Sequence, residues 1–153
     1  MFSNHGRIVL VAASVLIVAL LFDVLVHAAP PAGHFTVNAD GTVTDNSTGL
    51  VWQRAVPSTS YNHADAIDYC AGLSLTGSPD WRLPTIGELQ TIVDETRIAP
   101  AIDLSVFPST PYERFWSSSP YAGAVSRAWA VHFHSGGANH YDVTDAVWVR
   151  CVR

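Results

Sequence analysis

Four side chains that can bind a metal or move protons fall close together near the end of the chain. His132 and His134 are separated by one residue, and His140 and Asp142 follow after a pair of glycines. Imidazole and carboxylate groups are ligands that Zn²⁺ accepts, so one interpretation is a metal-dependent enzyme. Strand alternation alone also explains the His132–His134 spacing, because it puts both side chains on one face. We therefore expect a polar outer strand face that holds no metal and no cofactor.

Ligand binding is the function that this segment favours. Its imidazole, amide and phenol groups offer adaptable hydrogen bonds and stacking, the chemistry of glycan-binding and protein-binding surfaces. Gly136 and Gly137 let a partner come close to the backbone. The residues predicted to bind a ligand are His132, His134, Ser135, Asn139, His140, Tyr141 and Asp142.

The serines at 117–119 are the other candidates for catalysis. No nucleophile elbow and no Ser-His-Asp order accompany them. Their hydroxyls fit the end of a strand, where they satisfy backbone groups. The sequence therefore predicts a non-catalytic protein.

Short strands and turns must position the candidate residues. Alternation predicts a strand over residues 128–134, with Trp129, Val131 and Phe133 on the face opposite the histidines. A return strand is predicted over 139–143 and a last strand over 147–153, whose inner face would carry Val147, Val149 and Cys151. Earlier in the chain, turn residues separate three predicted strands at 35–37, 42–44 and 50–54.

A first helix is predicted over residues 62–73. Ser60 or Asn62 can cap it. Its inner face is the set Ala66, Tyr69, Cys70 and Leu73.

A second helix is predicted over residues 86–94. Pro84 keeps the chain extended before it, and Thr85 and Glu88 have the spacing of a capping box. Just upstream, Trp81 is expected to enter the core and Arg82 to bond loop carbonyls.

The first residues of the chain differ from the rest. Arg7 precedes an apolar run, and small residues at Val26 and Ala28 suit cleavage, so residues 1–28 are predicted to be a signal peptide. The alternative is an uncleaved anchor, the one way in which we expect the chain to meet a membrane. The apolar run is about 15 residues, short of the ~20 that span a bilayer, which favours cleavage. Residues 29–35 would be a short linker.

The charge of the chain limits its partners, and its cysteines indicate its redox compartment. The net charge is −5 and all eight basic residues are Arg, which argues against binding to nucleic acid. Export would put Cys70 and Cys151 in an oxidising compartment, so a disulfide between them is the expected state. Two buried thiols or an intermolecular bridge are the alternatives.

Four motifs in order resemble one family. They are residues 45–53 (DNSTGLVWQ), 80–85 (DWRLPT), 115–119 (FWSSS) and 149–153 (VRCVR). Together they closely resemble the Lcl C-terminal domain family, also called DUF1566, named after the last domain of a collagen-like adhesin. The resemblance covers residues 36–153.

The resemblance implies an α+β domain of C-type lectin-like fold. Such a domain has two helices packed on a small, mostly antiparallel sheet, with its N- and C-terminal strands adjacent. Many of these domains carry a disulfide from the first helix to the last strand, which fits Cys70 and Cys151. The Glu/Gln-Pro-Asn/Asp and Trp-Asn-Asp tripeptides of calcium-dependent lectins do not occur. Calcium-dependent sugar binding is therefore not expected.

The function implied is that of an adhesin-like binding module, exported to the periplasm, the cell surface or the medium. Its partner would be a glycan or a protein at a cell surface. Sulfated glycans are implied for the adhesin relative, but this chain is acidic and has no collagen-like stalk. A scaffold or assembly domain of a surface structure is the alternative, and a His-based metal-dependent enzyme is a weaker one.

Overall fold

The computed structural model describes residues 32–153, an α+β arrangement of two antiparallel three-stranded sheets and few helices. The predicted signal peptide and residues 29–31 of the linker lie outside the described residues. The first sheet has the order β1-β2-β3 and the second β4-β5-β6. The elements are β1 Phe35–Val37, β2 Thr42–Asp45, β3 Val51–Gln53, α1 His63–Ala71, α2 Ile86–Gln90, β4 Arg114–Pro120, β5 Arg127–His132 and β6 Gly137–Asp142, with a 3-10 turn at Leu75–Gly77.

The first sheet confirms the three strands predicted for this part of the chain. Gly41 turns β1 into β2 with a φ of +83°, a conformation that suits glycine. The buried Asp45 organises the next turn, since its Oδ1 accepts hydrogen bonds from the backbone N–H of Ser47 and Thr48. The turn chemistry of the sequence therefore fixes this sheet locally.

Both helices begin where their capping residues predict. The side chain of Asn62 accepts from the backbone N–H of Asp65, and Thr85 and Glu88 form the full capping box. The second helix is shorter than predicted and ends at Gln90, because the Thr91 N–H bonds the Glu88 carbonyl three residues back and the i→i−4 pattern stops there.

Arg82 has a different partner from the one expected. It makes a two-pronged bond to the carboxylate of Glu88, at 2.7 and 2.8 Å, and not to loop carbonyls. Hydrogen bonding to Arg82 lowers the pKa of Glu88 to about 2. Trp81 enters the core as predicted: its side chain is 2% exposed and its indole N–H donates to the Leu75 carbonyl.

The second sheet lies between two apolar clusters. Ala128 and Ala130 on β5 pack with α1 and the disulfide, whereas Val131 packs with Leu89 of α2 on the other side. The predicted strand over 128–134 is too long, because the chain leaves the sheet after His132 and turns through 133–136. The return strand accordingly starts at Gly137 and not at residue 139.

The last predicted strand is not continuous. Residues 147–153 make isolated bridges to a succession of partners, since Val147 pairs with Tyr61, Trp148 with Phe115, and Val152 with Trp52. Switching partners in this way prevents a regular ladder. It also buries both faces of the segment, so the predicted inner residues are buried together with Arg150 and Val152.

The disulfide Cys70–Cys151 is present and ties α1 to this C-terminal segment. It joins residues 81 apart in sequence, for which the chain-entropy model gives about 4–5 kcal/mol of stabilisation. The end of the chain is also bonded to β3, because Val51 and Arg153 exchange backbone hydrogen bonds.

Arg150 is a fully buried cation between β3 and the C-terminal segment. Its guanidinium donates at 2.7 Å to the carbonyls of Gln53 and Arg54 and to the hydroxyl of Thr110, and it lies 4.7 Å from the ring centroid of Phe107. Burial lowers its pKa to about 9, so it remains protonated at neutral pH. The guanidinium links β3 to the C-terminal segment without a carboxylate partner among residues 32–153.

Candidate functional site

Register pairing between β5 and β6 sets four side chains with useful chemistry on one face of the hairpin. Arg127 lies opposite Asp142, and Trp129 lies opposite His140. Residues opposite each other, and residues two apart on a strand, share a face. Tyr121, from the loop between β4 and β5, joins them. We call Tyr121, Arg127, Trp129, His140 and Asp142 the Trp129 cluster.

Three rings of the Trp129 cluster pack against one another. Tyr121 stacks on His140 with 3.7 Å between ring centroids, and the Trp129 ring meets both almost at right angles, at 5.6 and 5.7 Å. The loop closes tightly on Tyr121, because a Cβ at Gly123 would come within 2.5 Å of its ring. The half-buried Trp129 is therefore held in one orientation with part of its surface open.

The hydrogen bond between Arg127 and His140 defines the state of the imidazole. Arg127 Nη1 lies 3.2 Å from His140 Nδ1. A guanidinium can only donate, so Nδ1 is the acceptor and the ring proton is assigned to Nε2. His140 thus keeps one N–H donor that does not engage Arg127.

Asp142 supplies an acidic group to the same face. Its Oδ1 accepts from the hydroxyl and the backbone N–H of Thr144, at 2.8 and 3.1 Å. These bonds, with a smaller contribution from Arg127, lower the pKa of Asp142. The cluster therefore presents one cation, one anion and an aromatic surface.

The structure divides the seven predicted ligand residues among three places. His140 and Asp142 belong to the Trp129 cluster. His132, Asn139 and Tyr141 lie on the opposite face of the hairpin. His134 and Ser135 lie in the exposed turn that follows β5.

Residues outside the Trp129 cluster have neighbours of their own. Arg114 lies over the Tyr141 ring at 4.5 Å, so part of that phenol is covered. The rings of His132 and His134 are 5.8 Å apart, and Tyr112 lies 6.2 Å from His134. Tyr112, His132 and His134 therefore lie together at the other end of the hairpin from Trp129.

Sequence reasoning missed Tyr121, Arg127 and Trp129. Alternation correctly puts Trp129 on the face of Val131, but Trp129 is close to the open end of that face and only half-buried. The sequence signal for a partly open Trp129 lies in its two neighbours. Ala128 and Ala130 are small and belong to the packed side against α1, which leaves Trp129 on the other side.

A shallow groove of about 410 Å³ lies between the start of α1 and the residues that follow β6. Its lining includes Asn62, His63, Ile67 and Thr144. His63 is committed to the fold, since its Nε2 bonds the Ser117 carbonyl at 2.8 Å and its ring meets the edge of Trp116. The groove has fewer free polar groups than the Trp129 cluster and is the weaker candidate.

Residues 32–153 contain no group of three or more His, Cys, Asp or Glu side chains arranged to hold a metal ion. Within the same range, none of the helices has the length and apolar character needed to cross a bilayer.

A family model described as the Lcl C-terminal domain matches residues 41–153. No curated protein matches the chain.

Proposed function

The chain belongs to the Lcl C-terminal domain family, and on that premise we propose that it is an exported, non-catalytic module that binds a glycan or a protein at a cell surface. The family resemblance seen in the sequence motifs is confirmed. The observation that carries the proposal is the Trp129 cluster, an open indole framed by a guanidinium, an imidazole and a carboxylate.

The cluster suits a glycan better than an extended peptide. A fixed aromatic ring offers a flat apolar surface for the C–H face of a sugar, and the adjacent charged groups offer donors and acceptors to its hydroxyls. The ring is already ordered by Tyr121 and His140, so binding costs little conformational entropy.

Two observations support a non-catalytic role for this cluster. Asp142 Oδ1 is occupied by the hydroxyl and backbone N–H of Thr144, and these bonds lower the pKa of the carboxyl, which makes Asp142 a weak general base as well as a poor general acid. The lone pair of His140 Nδ1 is engaged by Arg127 and is not available to take a proton from a substrate.

Export and the finer fold belong to the same proposal. A disulfide is retained in oxidising compartments, which supports export of a chain that carries Cys70–Cys151. We also propose a C-type lectin-like fold, supported by the bridge from α1 to the C-terminal segment and by that segment's pairing beside β3.

A binding screen tests this function. The protein recovered after export would be applied to arrayed glycans and surface proteins, with and without EDTA. Trp129→Ala is expected to abolish the hits, whereas Tyr112→Ala, an exposed aromatic at the other end of the hairpin, retains them. Hits that survive Trp129→Ala, or no hits at all, would contradict the proposal.

A second candidate function is assembly of a surface structure, favoured by the edge of the second sheet. Strand β6 pairs with β5 alone among the described strands, so six residues present one unpaired edge. Gel filtration over a range of concentrations would reveal this role as a stable oligomer. A monomer at every concentration would exclude self-assembly through this edge.

A further inference from the structure

Charge balance in the Trp129 cluster bears on the kind of ligand it can take. Arg127 and Asp142 are register partners, so a ligand over Trp129 meets both charges at once. An acidic or sulfated sugar gains from Arg127 but is repelled by Asp142, and an amino sugar meets the reverse. The chain as a whole is also acidic, at −5, which adds to the repulsion of polyanions.

Free hydrogen-bonding capacity in the cluster matches hydroxyl groups. Arg127 uses Nη1 for His140, and Asp142 uses Oδ1 for Thr144. Within residues 32–153, no hydrogen bond reaches the other oxygen of Asp142 or the remaining guanidinium nitrogens of Arg127. A hydroxyl both donates and accepts, so neighbouring hydroxyls on one sugar can pair with this acceptor and this donor together.

The aromatic part of the cluster adds a requirement for shape. The Trp129 ring packs nearly perpendicular to the rings of Tyr121 and His140, and these contacts keep it from turning to follow an irregular ligand. A rigid ring selects a ligand with a flat apolar face, and a pyranose has one where its C–H bonds point to the same side.

We propose that the Trp129 cluster binds an uncharged pyranose, stacked on Trp129 with its hydroxyls shared between Arg127 and Asp142. This rests on the proposed glycan-binding function and narrows it. The binding needs no metal ion, since both polar contacts come from side chains of this chain.

The test compares sugars of three charge classes on the same protein. Neutral hexoses and N-acetylhexosamines, uronic and sulfated sugars, and amino sugars would be arrayed as matched conjugates. Neutral conjugates are expected to bind, and their affinity should change less than about twofold between roughly 0.05 and 0.5 M NaCl, because no net charge is neutralised.

Conservative variants keep the test independent of folding. Arg127→Gln and Asp142→Asn retain the side-chain shape and are each expected to weaken neutral-sugar binding about tenfold, the effect of losing a hydrogen bond to a charged group. Glu113→Gln removes an exposed charge at the other end of the hairpin and is the matched control, with unchanged affinity.

The possible outcomes separate this inference from the broader function. Neutral hits that depend on Arg127, Asp142 and Trp129 support both. Acidic or sulfated hits that fall steeply with salt and disappear in Trp129→Ala overturn the neutral pyranose but leave the binding function standing. Protein hits that need Trp129, with no glycan hits, overturn the neutral pyranose alone. Absence of any hit, or hits indifferent to Trp129→Ala, overturns both.

Discussion

Two groups of residues use the same residue types for opposite purposes. One is the Trp129 cluster, and the other, which we call the frame, comprises Trp81, Arg82, Glu88, Arg150 and the Cys70–Cys151 bridge. In the frame, the Trp81 ring is 2% exposed and its N–H is bonded. In the cluster, Trp129 is half-buried and Arg127 is exposed. The comparison teaches that residue type does not decide the role. A side chain whose polar groups are held by partners in the fold is structural, even where it is exposed as Arg82 is, whereas one with unused donors or an open ring can meet a ligand.

The two arginines give the largest expected difference. Arg150→Ala removes a buried side chain and leaves the acceptors of Gln53, Arg54 and Thr110 unpaired, so it should destabilise the protein by about 4–5 kcal/mol. Arg127→Ala should stay within about 0.5 kcal/mol, as an exposed substitution does. Urea unfolding measures both. Equal losses would erase the distinction between frame and cluster.

The two tryptophans give the next difference. Trp81→Ala should cost about 3–4 kcal/mol through loss of burial and a cavity, whereas Trp129→Ala should cost about 1–2 kcal/mol because its ring is only partly buried. Thermal unfolding monitored by far-UV circular dichroism measures the change. If the Trp81→Ala variant has the same melting temperature as the wild type, the ring is not part of the core.

A pH titration sharpens the description of the frame. The folded-state pKa of Glu88 is about 2, held there chiefly by its hydrogen bond to Arg82, against an ordinary value of 4.5. Because the folded pKa is the lower one, its stabilisation is present above pH 4.5 and is lost as the pH falls through about 2.

Glu88→Gln is the variant that checks this pH dependence. It should lower stability at neutral pH by about 1 kcal/mol, a value limited by solvent screening of the half-exposed Arg82. It should also flatten the fall in stability between pH 4.5 and 2. Identical slopes for wild type and variant would show that the Arg82–Glu88 pair contributes nothing.

His140→Ala and Tyr141→Ala, both within the predicted ligand residues, are compared by their effect on binding. His140→Ala should abolish glycan binding, because it removes the brace of Trp129 and the partner of Arg127, while the melting temperature shifts little. Tyr141→Ala, on the opposite face, should affect binding less. Calorimetric titration compares them, and a greater loss for Tyr141→Ala would move the site to that face.

Local signals in the sequence account for what could be predicted. Asn62, Thr85 and Glu88 act within one helical turn, so the starts of both helices follow from spacing alone. The Cys70–Cys151 pairing follows from there being two cysteines, which leaves one intramolecular bridge.

The features that depend on distant contacts could not be predicted. Arg150 is buried because acceptors from β3 and Thr110 converge on it, nearly a hundred residues away for Gln53. The C-terminal segment changes partner along its length, which no pattern of alternation encodes. The Trp129 cluster likewise depends on the loop that folds Tyr121 over Gly123 and on the pairing of β5 with β6.

One NMR titration tests the contrast between frame and cluster most directly. The protein has five tryptophans, and each indole N–H gives a resolved signal of its own type, assignable with single Trp→Phe variants. On addition of a neutral methyl pyranoside, the Trp129 indole signal is expected to shift in a saturable way while the buried Trp81 signal stays in place. A shift at Trp81 with none at Trp129 would contradict the account.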